Sequence, residues 1–158
     1  MNVIAIDPGS EQSAIVWMLD GKICSHEKIN NIDALSYLRH THNPCDDLPL
    51  LAIEMIASYG MAVGKEVFDT CLWIGRYMEA WESRGGTVRL VYRREVKLFH
   101  CETVKANDSN IRAALIDRYG PGKEKAIGTK KSPGALYSIK GDEWAALAVA
   151  LTVIGTRA

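Results

Sequence analysis

Apolar positions near the N-terminus come in short unbroken runs, and after residue 65 they spread to helical spacing. Val3, Ile4, Ala5 and Ile6 form the first run, which stops at Asp7-Pro8-Gly9-Ser10, where proline and glycine force a turn. That pattern predicts a strand with a carboxylate at its end. A second run over 13–18 meets Asp20-Gly21, a strong hairpin signal, and a third strand follows over 22–25. Asn30-Asn31 can cap a short helix to about Arg39, with Ile32, Leu35 and Leu38 at helical spacing, before a polar loop containing Pro44 and Pro49. Leu50-Leu51-Ala52-Ile53-Glu54 reads as a strand covered on both faces, and it too ends in an acid.

Small residues, two glycines and two bulky side chains make 57–64 a mobile loop. From Lys65 to about Glu82, Val67, Phe68, Cys71, Leu72, Ile74, Gly75 and Met78 predict a long amphipathic helix, stopped by Gly85-Gly86. A strand over 87–91 and a short helix over 93–99 follow. Asp108-Ser109-Asn110 starts another helix, carrying Ile111, Ala114, Leu115 and Ile116 and ending at Gly120-Pro121-Gly122. A basic loop holds Lys123, Lys125, Lys130 and Lys131. The last helix runs from about Asp142 to Val153, with Trp144, Leu147, Ala148 and Leu151 on one apolar face. Three strands joined by short turns are antiparallel, and the later strand–helix alternation adds parallel neighbours. The expected fold is α/β, a mixed five-stranded sheet covered by helices on both faces.

Composition sharpens this little except in charge. The 158 residues, 47% hydrophobic and 24% charged, fit one domain over 1–158 with a sizeable core. No apolar run approaches the roughly 18 residues that span a bilayer, and the first residues have no basic stretch and meet an acid after six, unlike a signal peptide. The expectation is a soluble intracellular protein with no membrane partner. Its four cysteines, Cys24, Cys45, Cys71 and Cys101, lack C-x-x-C spacing and read as free thiols. His40, His42 and Cys45 concentrate groups that bind zinc, but no second half of a four-ligand site follows, and a polar loop is the expectation. Lys plus Arg equals Asp plus Glu at 19 each, yet the charges segregate. Residues 1–83 hold five basic side chains against twelve acids, a balance of −7, and residues 84–131 hold twelve against five, +7. Such a chain can set an acidic metal site beside a basic phosphate-tracking surface.

Asp7 and Glu54 each end a strand too apolar for the surface. An unpaired buried charge costs several kcal/mol, roughly the penalty of any desolvated ion, so each needs a cation, a hydrogen-bond network or a raised pKa. Asp142, in the first turn of the last helix, is a third candidate, although the helix dipole favours an acid there regardless of function. Hard cations such as Mg²⁺ take oxygen ligands converging from separate elements.

The strand ending Ala5-Ile6-Asp7-Pro8-Gly9-Ser10, the strand ending Ala52-Ile53-Glu54 and the helix Gly141-Asp142-Glu143-Trp144-Ala145-Ala146-Leu147-Ala148 together resemble the RuvC-type Holliday junction resolvases of the ribonuclease H-like superfamily. Arg94-Glu95-Val96-Lys97 and the stretch from Arg112 to Gly120 resemble the small bacterial and phage members. The resemblance spans nearly the whole chain. It implies a homodimeric, Mg²⁺- or Mn²⁺-dependent endonuclease of the bacterial or phage-infected cytoplasm that nicks four-way DNA junctions symmetrically. It carries Asp7, Glu54 and Asp142 over as catalytic, metal-binding carboxylates. Two cations roughly 3.5–4 Å apart can activate a water and stabilise the leaving 3′ oxygen. Lys97 and Arg112 are the main candidates for contacts to the scissile backbone, with Arg93, Arg94, Lys130 and Lys131 tracking phosphates. Tyr59 and Met61 are candidate wedges at the junction centre. The long helix, with Trp73, Tyr77 and Trp81 as well as its aliphatic residues, suggests a second subunit as partner.

One position departs from the family. Two acids at i and i+3 are usual in the last helix, but three residues after Asp142 stands Ala145. Three carboxylates suffice, Glu143 reaches in as a metal ligand, or one metal is weakly held. Competing readings are a nuclease of RNA–DNA hybrids or other DNA, and a non-catalytic junction binder. Asp7-Pro8-Gly9-Ser10 also resembles the phosphate turn of actin-like ATPases, but those need a second domain, so no nucleotide cofactor is expected.

Overall fold

The computed structural model describes residues 1–41 and 47–156. Strands β1 (Val3–Asp7), β2 (Gln12–Leu19), β3 (Lys22–Asn30), β4 (Leu50–Met55) and β5 (Val88–Tyr92) form one sheet in the order β3-β2-β1-β4-β5. The first three are antiparallel, and β4 and β5 run parallel to β1. This is the mixed sheet expected. Parallel β1 and β4, in register from Val3 opposite Leu50 to Ile6 opposite Ile53, bring Asp7 and Glu54 to the same end of the sheet. The third strand is longer than its apolar part suggests, because Ser25–Asn30 continue the ladder with little burial.

Alternation along the strands builds two apolar layers, since successive side chains point to opposite faces. Ile4, Ile6, Ile15, Leu51 and Ile53 face α1 (Asn31–His40) and α2 (Lys65–Glu82). Val3, Ala5, Ala14, Val16, Ala52 and Val91 face α3 (Arg93–Cys101), α4 (Asp108–Tyr119) and α6 (Glu143–Gly155). Ala5, Ala14 and Ala52 are small, which lets α6 lie close across β1 and β2. Residues 146–153 of α6 are all buried, so its apolar surface runs all round rather than along the one face expected. The sheet covers one side of that helix and α3 with α4 the other.

Three local expectations are corrected. Ile32 is 72% exposed, and the inward face of α1 is Ala34, Leu35 and Leu38. On α2 the buried residues are Thr70, Ile74, Tyr77, Ala80 and Trp81, whereas Phe68 and Leu72 point to solvent at 61% and 68% exposure. The basic loop after α4 contains α5 (Lys123–Ala126) and a hairpin of β6 (Gly128–Thr129) and β7 (Ser132–Pro133). Among the described residues no helix is long and apolar enough to cross a membrane.

Candidate active site

The turn after β1 delivers Asp7. A Cβ on Gly9 would stand 2.5 Å from the backbone oxygen of Gln12, so only glycine allows the chain to double back this tightly. The Asn31 side chain donates to the carbonyl of Gly9 at 2.9 Å, and Ser13 Oγ donates to Asn31 Oδ1 at 2.7 Å. Ser13 Oγ also lies 3.1 Å from the Tyr77 hydroxyl on α2. A buried polar chain therefore ties the turn after β1 to both helices on one face. At the start of α6, Gly141 adopts φ +51, and the chain turns there to present Asp142.

Asp7, Glu54 and Asp142 line one depression at the end of the sheet, together with Arg93, Asp108, Arg112, Trp144 and Ala145. Burial, then the neighbouring Glu54 and Asp142 carboxylates, push the Asp7 carboxyl up to about 7, with Arg93 and Lys28 opposing. Glu54 is also raised, by burial first, and the Arg93 guanidinium at 3.4 Å works against that. Asp142 Oδ2 accepts from Lys28 Nζ at 2.6 Å. Arg93 pairs through its other nitrogen with Asp108. Arg112 lies over the Trp144 ring, 4.6 Å from its centroid.

Oxygen donors from three elements, with a raised central carboxyl, have the chemistry of a hard divalent cation site. Among the described residues no three His, Cys, Asp or Glu side chains are gathered tightly enough to hold an ion. Glu54 is paired with Arg93, and Asp142 with Lys28. Asp7 and Asp142 are the donors that would hold such a cation, and Lys28 is the group it would displace.

Glu143 is a correction. It is 2% exposed, accepts the Lys140 backbone N–H at 3.0 Å and has Oε2 2.8 Å from His26 Nδ1. His26 Nε2 in turn lies 3.2 Å from Ser138 Oγ. One residue along a helix rotates a side chain by about 100°, so Glu143 pins the loop before α6 to β3 while Asp142 faces the pocket. It is not a metal ligand in this arrangement.

A second depression shares Arg93 with the first and is lined by Tyr59, Arg94, Lys97 and Val104. Tyr59, at φ +47, and Met61 are both largely exposed. Lys130 and Lys131 form the exposed tip of the β6–β7 hairpin and line neither depression. His42 and Cys45 lie outside the described residues; Cys24, Cys71 and Cys101 are free thiols. Sequence reasoning missed Asp108, because an acid in the first turn of a helix is already accounted for by the dipole. It missed Lys28 for a different reason: a lysine on a half-exposed strand carries no local signal.

No protein-family model matches the chain, and no curated protein matches it by sequence. Solved structures do match. Thermus thermophilus RuvC superposes with a TM-score of 0.69 at 17% identity, covering 99% of this chain and 96% of that one. T. thermophilus RuvC in complex with a Holliday junction substrate gives 0.67 at 16% identity, covering 96% and 92%. The fold is RuvC-like, that is, ribonuclease H-like, along nearly the whole chain.

Proposed function

We propose that this chain is a divalent-metal-dependent endonuclease that acts as a homodimer on four-way DNA junctions and nicks two strands symmetrically. The observation that carries this reading is the meeting of Asp7, Glu54 and Asp142 in one depression of a RuvC-like fold, with cationic residues beside them. The junction as substrate follows from the likeness to the T. thermophilus RuvC complex.

Asp7 and Asp142 would hold the cation, Mg²⁺ or Mn²⁺, with Glu54 beside them and paired to Arg93; the ion would supply a lowered pKa for a bound water and offset charge on the leaving 3′ oxygen. The remaining work belongs to the chain. Asp7 must be deprotonated to bind a cation, and burial, then its neighbours Glu54 and Asp142, make that harder in the metal-free state. Arg112, lying over the Trp144 ring, lines the same pocket with a guanidinium that can bridge two phosphate oxygens. Arg94 and Lys97, in the adjoining depression, extend that positive track along one strand. Tyr59 offers an exposed ring above the same track, suited to stacking on an unpaired base. Phe68 and Leu72, exposed one turn apart on α2, supply an apolar surface for the second subunit.

Ala145 favours a second reading, a protein that binds junctions without cutting them. Incubation of a four-way junction, a linear duplex and an RNA–DNA hybrid with the protein in Mg²⁺, Mn²⁺ or EDTA separates the readings. Metal-dependent nicks on the junction alone support the proposal. Cutting of the hybrid assigns the chain to another nuclease class, and tight junction binding without cutting in either metal supports the second reading.

A further inference from the structure

Ala145 lines the acidic depression at the point where a second acid of α6 would project, three residues after Asp142. The depression is therefore one carboxylate short on α6, and its other wall is unusual as well. Arg93 sits there between two acids: one guanidinium nitrogen donates to Glu54 Oε2 at 3.4 Å, and the other pairs with Asp108. A guanidinium stays charged at any working pH, and its planar fork is held in place by two partners at once. Lys28 on the opposite side is different. It bonds Asp142 through a flexible stem that is nearly half exposed, and can swing into solvent.

The two halves of the site are thus unequal. Asp7 stands near both Glu54 and Asp142; on the Asp142 side the ammonium is displaceable, whereas Glu54 and Asp108 already share Arg93. We propose that Arg93 is the resident cation of the Glu54–Asp108 half, so that the chain takes one divalent ion, on Asp7 and Asp142, and not two. Arg93 then supplies beside the phosphate the positive charge that a second ion would bring. The role assigned to that charge rests on the nuclease reading, but the number of ions is a property of the free protein.

The test is a count of Mn²⁺ per chain by calorimetric titration, confirmed by electron paramagnetic resonance of the unbound ion, on wild type, Arg93→Gln and Arg93→Lys at pH 8. The expected counts are one for the wild type, two for Arg93→Gln, whose freed carboxylates accept another ion, and one for Arg93→Lys, which keeps the charge. A wild-type count of two or of none overturns the inference, and this arm needs no substitution to fold. A count of one in folded Arg93→Gln overturns it too. Junction cleavage is scored separately: a wild type that binds one ion and cuts nothing leaves the count standing and removes the nuclease reading.

Discussion

Glu143 Oε2 lies 2.8 Å from Nδ1 of His26, two residues along β3 from Lys28, the partner of its neighbour Asp142. The two adjacent acids therefore do different work, one locking the loop before α6 against β3 and the other facing the pocket. Glu143→Ala leaves the His26 ring and the Lys140 N–H without their buried partner, and should lower unfolding free energy by about 1–3 kcal/mol. Mn²⁺ affinity of the folded variant should stay as in the wild type. Urea unfolding and a metal titration check the two halves of this prediction together.

The raised Asp7 carboxyl makes a prediction about pH. The folded metal-free protein holds this proton up to about pH 7, whereas an unfolded aspartate releases it near 3.9. Between those values the native state binds more protons than the unfolded one, so the Asp7 contribution to stability falls as pH rises and levels off above pH 7. Asp7→Asn should abolish that loss and raise the melting temperature of the metal-free protein at pH 8 more than at pH 4. Adding Mn²⁺ at pH 8 should stabilise the wild type and leave Asp7→Asn unchanged. Thermal melts in chelator and in Mn²⁺ give the comparison.

Asn31 and Gly9 set the position of Asp7 without touching substrate. Asn31→Ala removes the donor to the Gly9 carbonyl and leaves Ser13 without its acceptor, at a cost of about 1–3 kcal/mol. If the turn positions Asp7, folded Asn31→Ala should lose kcat with little change in junction affinity, and the loss should be smaller for Asn31→Gln. An equal loss of binding would mean that the turn merely supports the core.

Phe68→Glu and Leu72→Glu place charge on an exposed apolar stripe. Monomer stability should move by no more than about 0.5 kcal/mol, because neither side chain is buried. Sedimentation should show the wild type as a dimer and the double variant as a monomer. A monomeric wild type would remove the homodimer from the proposed function.

The mixed sheet, and Asp7 and Glu54 as acids at strand ends, could be read from the residues, because a short apolar run that ends in an acid is constrained twice: by burial and by the cost of a lone charge. The parallel strand pair then leaves no freedom in where the two acids meet. Helix faces were harder to read. Phe68 and Leu72 fit the apolar stripe of α2 as well as Tyr77 and Trp81 do, and only the sheet decides which pair is covered. Asp108, Lys28 and the acid partners of Arg93 stood furthest from view, since an ion pair between residues 15 positions apart in sequence leaves no periodic trace. The identity of Ala145 was visible at once, but its meaning depended on the guanidinium across the pocket.

The central claim is that Asp7, Glu54 and Asp142 form a metal-dependent junction-cutting centre. It is tested most directly by mapping nicks on an immobile four-way junction, labelled on each strand in turn, with wild type and Asp7→Asn in Mn²⁺. The account predicts paired nicks at symmetry-related positions on two opposing strands, none with Asp7→Asn, and none in EDTA. Nicks that persist in Asp7→Asn, or a wild type that binds the junction and leaves every strand intact, would contradict it.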